Sequence, residues 1–200
     1  MAAPKQTPVD KRKLILDAAV RVFARQGFHT CRVSDIADEA GVAYGLVYHY
    51  FQSKDQVLDT LFLSRWDVML EAIRQTDALD IPAREKLEAI AGFIIESYRH
   101  DPDLMKVIII EVTRAANTFG AAHLGKISEA YELIRGVVEK AQASGEFRSE
   151  IPAEFAAMTF YGAIEQMLTG WIFGTLDQGD EAFERAKAHL VETVVDGLAA

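Results

Sequence analysis

The residues of this 200-residue chain best suited to catalysis or metal binding are five histidines and one cysteine, and their spacing serves neither purpose. His29, His49, His100, His123 and His189 are scattered without zinc-like spacing, and none follows a glutamate by three residues, as a di-iron helical bundle requires. There is no glycine-rich phosphate loop, and Cys31 stands alone. The spacing that does offer chemistry lies between Arg32 and Lys54. There Tyr44, Tyr48 and His49 fall on one side of a short helical stretch whose other side carries Val47 and Phe51. Phenol, imidazole and cationic groups so placed can meet the phosphates and base edges of a nucleic acid.

Two short helices must position these side chains. Val33, Ile36, Ala37 and Ala40 recur at i, i+3, i+4 and i+7, and Gly41 follows where a helix can end in the left-handed conformation. Val42 is the apolar residue inside the turn, and a second helix starts at Ala43-Tyr44-Gly45. Two short helices joined by a glycine turn make a helix-turn-helix, whose second helix puts its N-terminal residues at base edges in the major groove. Specificity is expected from Tyr44 and from the close backbone approach that Gly45 allows, with Ala43 beside them. A preceding helix from about Asp10 to Gln26, with Ile15, Ala18, Ala19, Val22 and Phe23 on one stripe, supports the pair, and Phe28 is expected as a core plug.

The pattern Asp35-Ile36-Ala37, Ala40-Gly41-Val42, Gly45, Tyr48-His49-Tyr50-Phe51 and Ser53-Lys54-Asp55 resembles the N-terminal operator-binding domain of TetR-type transcriptional repressors over roughly residues 10 to 60. The resemblance implies that Tyr48 and Lys54 hold phosphates of double-stranded operator DNA; His49 and Arg32 are added as further contacts. Two departures matter. Arg32 stands where the family usually has Ser or Thr, so the reciprocal capping box with Asp35 is expected to be missing. The family's common Ser-Lys-Gly-Thr is here Ala43-Tyr44-Gly45-Leu46, so its base contacts do not transfer.

A formal net charge of -9 argues against a polyanion partner until its distribution is read. The first 34 residues hold Lys5, Lys11, Arg12, Lys13, Arg21, Arg25 and Arg32 against Asp10 and Asp17, which leaves -14 for the other 166. A basic head on an acidic body fits a DNA reader that repels phosphate elsewhere. Residues 1 to 9 read as a flexible arm, either an ordinary disordered terminus or, through Lys5 and the Lys11-Arg12-Lys13 cluster, a contact to the DNA backbone. One cysteine and no apolar leader make the cytoplasm the expected compartment.

Ser53-Lys54-Asp55-Gln56 is a capping box that opens a long helix to about Thr76, a lever shared by head and body. Helices are then expected at about 82–99, 102–116, 121–143, 153–175 and 180–198, with a break at Asn117 to Gly120. The fold class is all-α: a three-helix helix-turn-helix DNA-binding domain at 1–52 and a six-helix ligand-binding and dimerisation domain at 53–200. Phe155 to Leu176 is apolar over about 22 residues, long enough to span a bilayer, but Glu165 and Gln166 near its middle argue against that. Ala156, Ala157, Gly162 and Ala163 would instead let a neighbouring helix approach. With Phe183, Ala186, Leu190, Val194 and Leu198 of the last helix they are assigned to a self-pairing four-helix interface of a homodimer, as the resemblance also implies; a monomer that buries them internally is the alternative.

The body carries Trp66, Met69, Phe93, Ile94, Tyr98, Ile109, Val112, Phe119, Tyr131, Phe160, Met167 and Trp171, with Glu111, Arg114, Asn117 and Glu165 as sparse polar groups. Each suits plain core; the family resemblance places such residues around an inducer cavity. The stretches Leu104 to Asn117 and Phe160 to Trp171 also resemble, more weakly, the ligand domain of TetR-type regulators of fatty-acid degradation. That implies a long-chain acyl-CoA, with the chain in an apolar tunnel and Arg114 at a phosphate. No resident cofactor is expected. The expected function is a repressor that binds a palindromic operator as a dimer, heads roughly 34 to 36 Å apart, and is released by a hydrophobic small molecule. The alternatives are a drug-like hydrophobic effector and, from a different class, a helical-bundle enzyme.

Overall fold

The computed structural model describes residues 8–114 and 121–199, and for 8–10, 111–114 and 121–122 the backbone alone. Among these residues nine α-helices follow in order: α1 (Pro8–Gln26), α2 (Val33–Ala40), α3 (Tyr44–Tyr50), α4 (Lys54–Asp77), α5 (Ala83–His100), α6 (Pro102–Arg114), α7 (Ala121–Ser144), α8 (Ala153–Ile172) and α9 (Asp180–Leu190). No strand occurs among them; the one β contact is an isolated bridge between Phe147 and Ala199. The expected break at Asn117 to Gly120 lies outside the described residues.

The chain divides into two compact units, one of Met1–Ser64 with Asp103–Asn117 and one of Arg65–Pro102 with Thr118–Ala200. The domain boundary expected at 52/53 therefore falls inside the first unit. The reason is packing: Val57, Leu58 and Leu61 of α4 and Val107 of α6 are buried in the same cluster as Ile15, Ala19, Phe23, Ile36, Val47 and Phe51. Lys106 adds a polar tie, its Nζ donating to the Ala24 carbonyl at 2.9 Å near the end of α1, where a helix favours a cation. Each large apolar side chain in this cluster contributes roughly 1.5–3 kcal/mol, so the first unit is held as one piece from α1 to the start of α4.

Within that unit the turn forms as its residues dictate. Gly41 takes φ 63°, its N–H reaching the Asp38 carbonyl at 3.1 Å, and the Val42 N–H reaches that of Ala37 at 3.0 Å. At the start of α2 the expectation is corrected. The Arg32 N–H donates to the Asp35 carboxylate at 2.8 Å, so the acidic half of the capping box is present. Arg32 has no side-chain acceptor to return the bond, and the Asp35 N–H turns to the Arg32 carbonyl at 3.1 Å instead. At the start of α4, Ser53 Oγ accepts from the Gln56 N–H at 3.1 Å, while Gln56 reaches back to the Gln52 N–H at 2.6 Å, one residue earlier than the expected box.

The second unit buries Leu87, Ile90 and Ile95 of α5, Ile134 and Val138 of α7, and Phe160 and Ile164 of α8. Tyr98, Trp171 and Phe183 stack at its edge, Trp171 lying 5.6 Å from Tyr98 and 4.7 Å from Phe183. The last helix departs from expectation in two ways. It ends at Leu190, and Val191–Val195 widens into a π turn before Asp196–Leu198 tightens into a 3₁₀ turn. Two tertiary anchors hold these turns: the Arg148 N–H on the Leu198 carbonyl at 3.0 Å and Arg84 Nε on Asp196 at 2.6 Å. Its apolar stripe is also largely covered by the chain itself: Phe183, Leu190 and Leu198 are buried, and Ala186 and Val194 are half-buried. On α8 the small residues Ala156 and Ala157 are likewise buried, while Phe155, Met158 and Phe173 stay 64%, 55% and 66% exposed. No described helix is long and apolar enough to cross a membrane.

Candidate nucleic-acid interface and effector site

Val47 anchors α3 in the core of the first unit and leaves Ala43, Tyr44, Gly45, Tyr48 and His49 exposed. Tyr44 and Tyr48 are 54% and 44% exposed, large values for aromatic rings on a rigid helix. They form a pair: the Tyr44 hydroxyl donates to that of Tyr48 at 3.2 Å, and the rings meet edge to face with centroids 5.1 Å apart. The bond to Tyr48 holds the Tyr44 proton and raises its pKa above the usual phenol range. Arg32 is exposed at the start of α2, and the Arg12 guanidinium lies 5.2 Å over the Phe51 ring just beyond the end of α3.

The cations are less available than their number suggests. Arg21 and Arg25 both bind Glu39, at 2.7 and 3.0 Å, and hold its carboxyl below the usual carboxylate range; Lys13 pairs with Asp17 at 3.0 Å. Lys54 is half-buried. Its Nζ donates to the carbonyls of Phe28 and of Cys31, the latter at 2.8 Å, and sits 4.5 Å from the Phe28 ring centroid. Two of its three N–H donors are thereby used in binding α4 to the α1–α2 loop, leaving one for a phosphate. Phe28 itself is buried, as a core plug should be. Lys5 lies outside the described residues.

The residues expected to bind an effector separate into groups. Met69, Ile94 and Phe160 are buried core, and Tyr98 and Trp171 belong to the stacked cluster with Phe183. Ile109 is half-buried in the first unit. Val112 and Arg114 have only their backbone described, and Asn117 and Phe119 lie outside the described residues. What remains converges on Tyr161. Its ring is 5.4 Å from Tyr131 and 6.2 Å from Trp66, and the Arg65 guanidinium lies 5.4 Å over the Phe93 ring.

The electrostatics of this group are those of ionisable side chains drawn out of water. Burial lowers the Arg65 pKa, against the pull of Tyr161 and Asp101. Burial raises Tyr161 far above the usual phenol range, with Glu165 adding to it, and burial also raises Glu165 itself. Tyr131 is raised by burial first and by Glu165 second. A half-buried cation, a carboxyl and two phenols set among aromatic rings can orient a mainly apolar ligand that carries a few polar groups. Arg65 and Tyr161 are not among the residues expected from the sequence. The signal for both was in the sequence: Tyr161 stands one turn before Glu165, and Arg65 is the lone cation beside Trp66 in an apolar stretch.

Tyr131 also lines a groove of ≈ 200 Å³ between α7 and α8, with Ser128, Arg135, Ala157 and Met158 among its walls. A larger cleft of ≈ 460 Å³ lies where Glu96, Arg99, His100, Gln178 and Asp180 meet, and Arg99 is tied there to Asp180 at 2.8 Å. Its charged rim suits an apolar molecule poorly.

With this geometry in place, the chain can be set beside known proteins. A family model described as bacterial regulatory proteins, tetR family, matches residues 15–61, and one described as tetracyclin repressor-like, C-terminal domain, matches residues 84–194. The fatty acid metabolism regulator protein of Bacillus subtilis is 30% identical over 159 residues, covering 79% of this chain and 81% of its own. The HTH-type transcriptional repressor KstR2 of Rhodococcus jostii is 30% identical over 147 residues, 73% of this chain and 72% of its own. Among solved structures, the fatty acid degradation regulator FadR from Bacillus halodurans superposes with a TM-score of 0.81 at 25% identity, covering 94% of this chain and 97% of that one. FadR from Bacillus subtilis, in complex with stearoyl-CoA, gives 0.78 at 25% identity, covering 93% and 98%.

Proposed function

Since the chain belongs to the tetR family of bacterial regulatory proteins, we propose that it is a homodimeric repressor that grips a palindromic operator with two heads and releases it when a long-chain acyl-CoA fills the second unit. The family is one of transcriptional regulators, which removes the helical-bundle enzyme. The observation that carries the reading is the exposed tyrosine pair on α3, held rigid by a core that continues into α4. Exposed aromatics on a short, well-anchored helix suit contact with base edges. Arg32, Tyr48, His49 and the remaining donor of Lys54 supply phosphate contacts, which add affinity without sequence information.

The effector part rests on the Tyr161 group and on the stearoyl-CoA held by the Bacillus subtilis relative. Trp66, Phe93 and Tyr131 would flank the acyl chain, and Arg65 would meet an anionic group of the coenzyme. Helix α4 joins the two ends: Val57, Leu58 and Leu61 are set in the head core, and Arg65, Trp66 and Met69 follow on the same helix. A displacement at Trp66 is transmitted over about 18 Å of stiff helix to Lys54. Two heads about 34 to 36 Å apart then lose register on the duplex.

A thermal-shift comparison tests the effector. Stearoyl-CoA at a hundredfold excess over its dissociation constant should stabilise the protein by roughly 2.7 kcal/mol. Stabilisation by lipophilic drugs alone, with none by acyl-CoA, would replace the effector with the drug-like class. Mass spectrometry of the denatured purified protein would identify any molecule that travels with it.

A further inference from the structure

We propose that Tyr44 reads thymine through its C5-methyl group, its ring held in place by Tyr48, so that each operator half-site carries thymine, not guanine, opposite the start of α3. The inference rests on the operator-binding reading above and specifies the chemistry of that same surface.

Side chains that recognise a purine by two hydrogen bonds in the major groove are Arg or Lys for guanine and Asn or Gln for adenine. From Ala43 to Phe51 the sequence has none of these four. What α3 shows outward is the Ala43 methyl, the two phenol rings and the bare backbone of Gly45, with His49 behind them. The Tyr44 hydroxyl spends its proton on Tyr48 at 3.2 Å, which leaves the Tyr48 proton for a phosphate, and the edge-to-face contact of the rings at 5.1 Å fixes their planes. Tyr44 therefore presents a carbon edge in a set position, not a free donor searching for a base acceptor. In the major groove, the base feature matched by an apolar surface is the thymine methyl. Gly45 makes the approach possible, since a β-carbon added there would meet nothing of the protein within 4 Å and its absence clears space only for a partner.

His49 is the competing reader, because an imidazole N–H can donate to guanine N7. The two chemistries are separated by atom-level changes in the DNA. A duplex enriched from a random pool by the full-length protein is scanned by replacing each thymine with deoxyuridine, which removes only the methyl, and each guanine with 7-deazaguanine, which removes only N7. Affinities are measured by fluorescence anisotropy for wild type, Tyr44→Phe and Tyr44→Ala, with far-UV circular dichroism confirming that the variants keep their helices.

Deoxyuridine should weaken wild-type binding about fourfold at one or two thymines per half-site, the effect of one methyl removed from an apolar contact. The loss should persist in Tyr44→Phe and vanish in Tyr44→Ala. Thymines that all tolerate deoxyuridine, an equal loss in Tyr44→Ala, or a loss confined to 7-deazaguanine would overturn the inference while leaving operator binding in place. A pool that enriches no sequence would remove the operator-binding reading and this inference together.

Discussion

The ammonium of Lys54 donates to the carbonyls of Phe28 and Cys31 and faces the Phe28 ring, so its removal has two effects. Lys54→Ala leaves two carbonyls without their donor and should lower stability by about 1–3 kcal/mol in thermal or denaturant unfolding. It should also reduce the salt slope of DNA binding by about one phosphate per subunit. A variant as stable as wild type would show that the carbonyl bonds carry no weight. Sequence spacing marked Lys54 as a cation beside the reading helix. Its carbonyl partners lie in the α1–α2 loop, 23 and 26 residues earlier, and only the folded chain brings them near. Glu165 was legible as a polar group in an apolar helix, but the direction of its titration depends on burial. Its folded pKa is raised, so its contribution to stability is full at acid pH, below its ordinary value, and is lost as pH rises through the folded value. Glu165→Gln cannot ionise. It should therefore melt above wild type at about pH 8, with the gap closing near about pH 3, below the ordinary glutamate range; a gap independent of pH would place the carboxyl in water.

Helices α2 and α3 were readable because a periodic stripe, a glycine in the left-handed region and a buried turn residue are all local signals. The pairing of α8 and α9 was only half readable, because an apolar stripe does not say which partner covers it. Of the stripe on the last helix, Phe183, Leu190 and Leu198 are consumed by the chain's own core, while Ala186 and Val194 stay half-buried. On α8, Phe155 and Met158 remain uncovered, with Gly162 one turn further on, and Phe173 is uncovered just past the helix end. Exposed apolar residues beside a glycine suit a second α8 at close range. A β-carbon at Gly162 would meet nothing within 4 Å in the single chain, so Gly162→Trp is a clean probe. It should leave the fold intact and convert the dimer to monomer in sedimentation velocity; an undisturbed dimer would put the interface elsewhere. The place of α6 in the first unit was not legible at all. Its ties, Lys106 to Ala24 at 82 positions' separation and Val107 to the head cluster, lie beyond the reach of any periodicity.

At the scale of the molecule, charge and continuity do the work together. The basic surplus sits in the first 34 residues, although Glu39 neutralises part of it through Arg21 and Arg25, and the rest of the chain is strongly acidic. Phosphate attraction is therefore concentrated in the head, and α4 is divided between the two compact units at Ser64 and Arg65. In the proposed mechanism that helix carries an equilibrium between gripping and released dimers, biased by the ligand. Such coupling is typically about 1 to 3 kcal/mol, a change of roughly 5- to 150-fold in affinity. The direct measurement is the dissociation constant for the selected operator at fixed salt, taken with and without saturating stearoyl-CoA. A rise within that range, absent for a random duplex, is the predicted result. An operator affinity unchanged by a ligand that demonstrably binds would contradict the claim that the second unit governs the first.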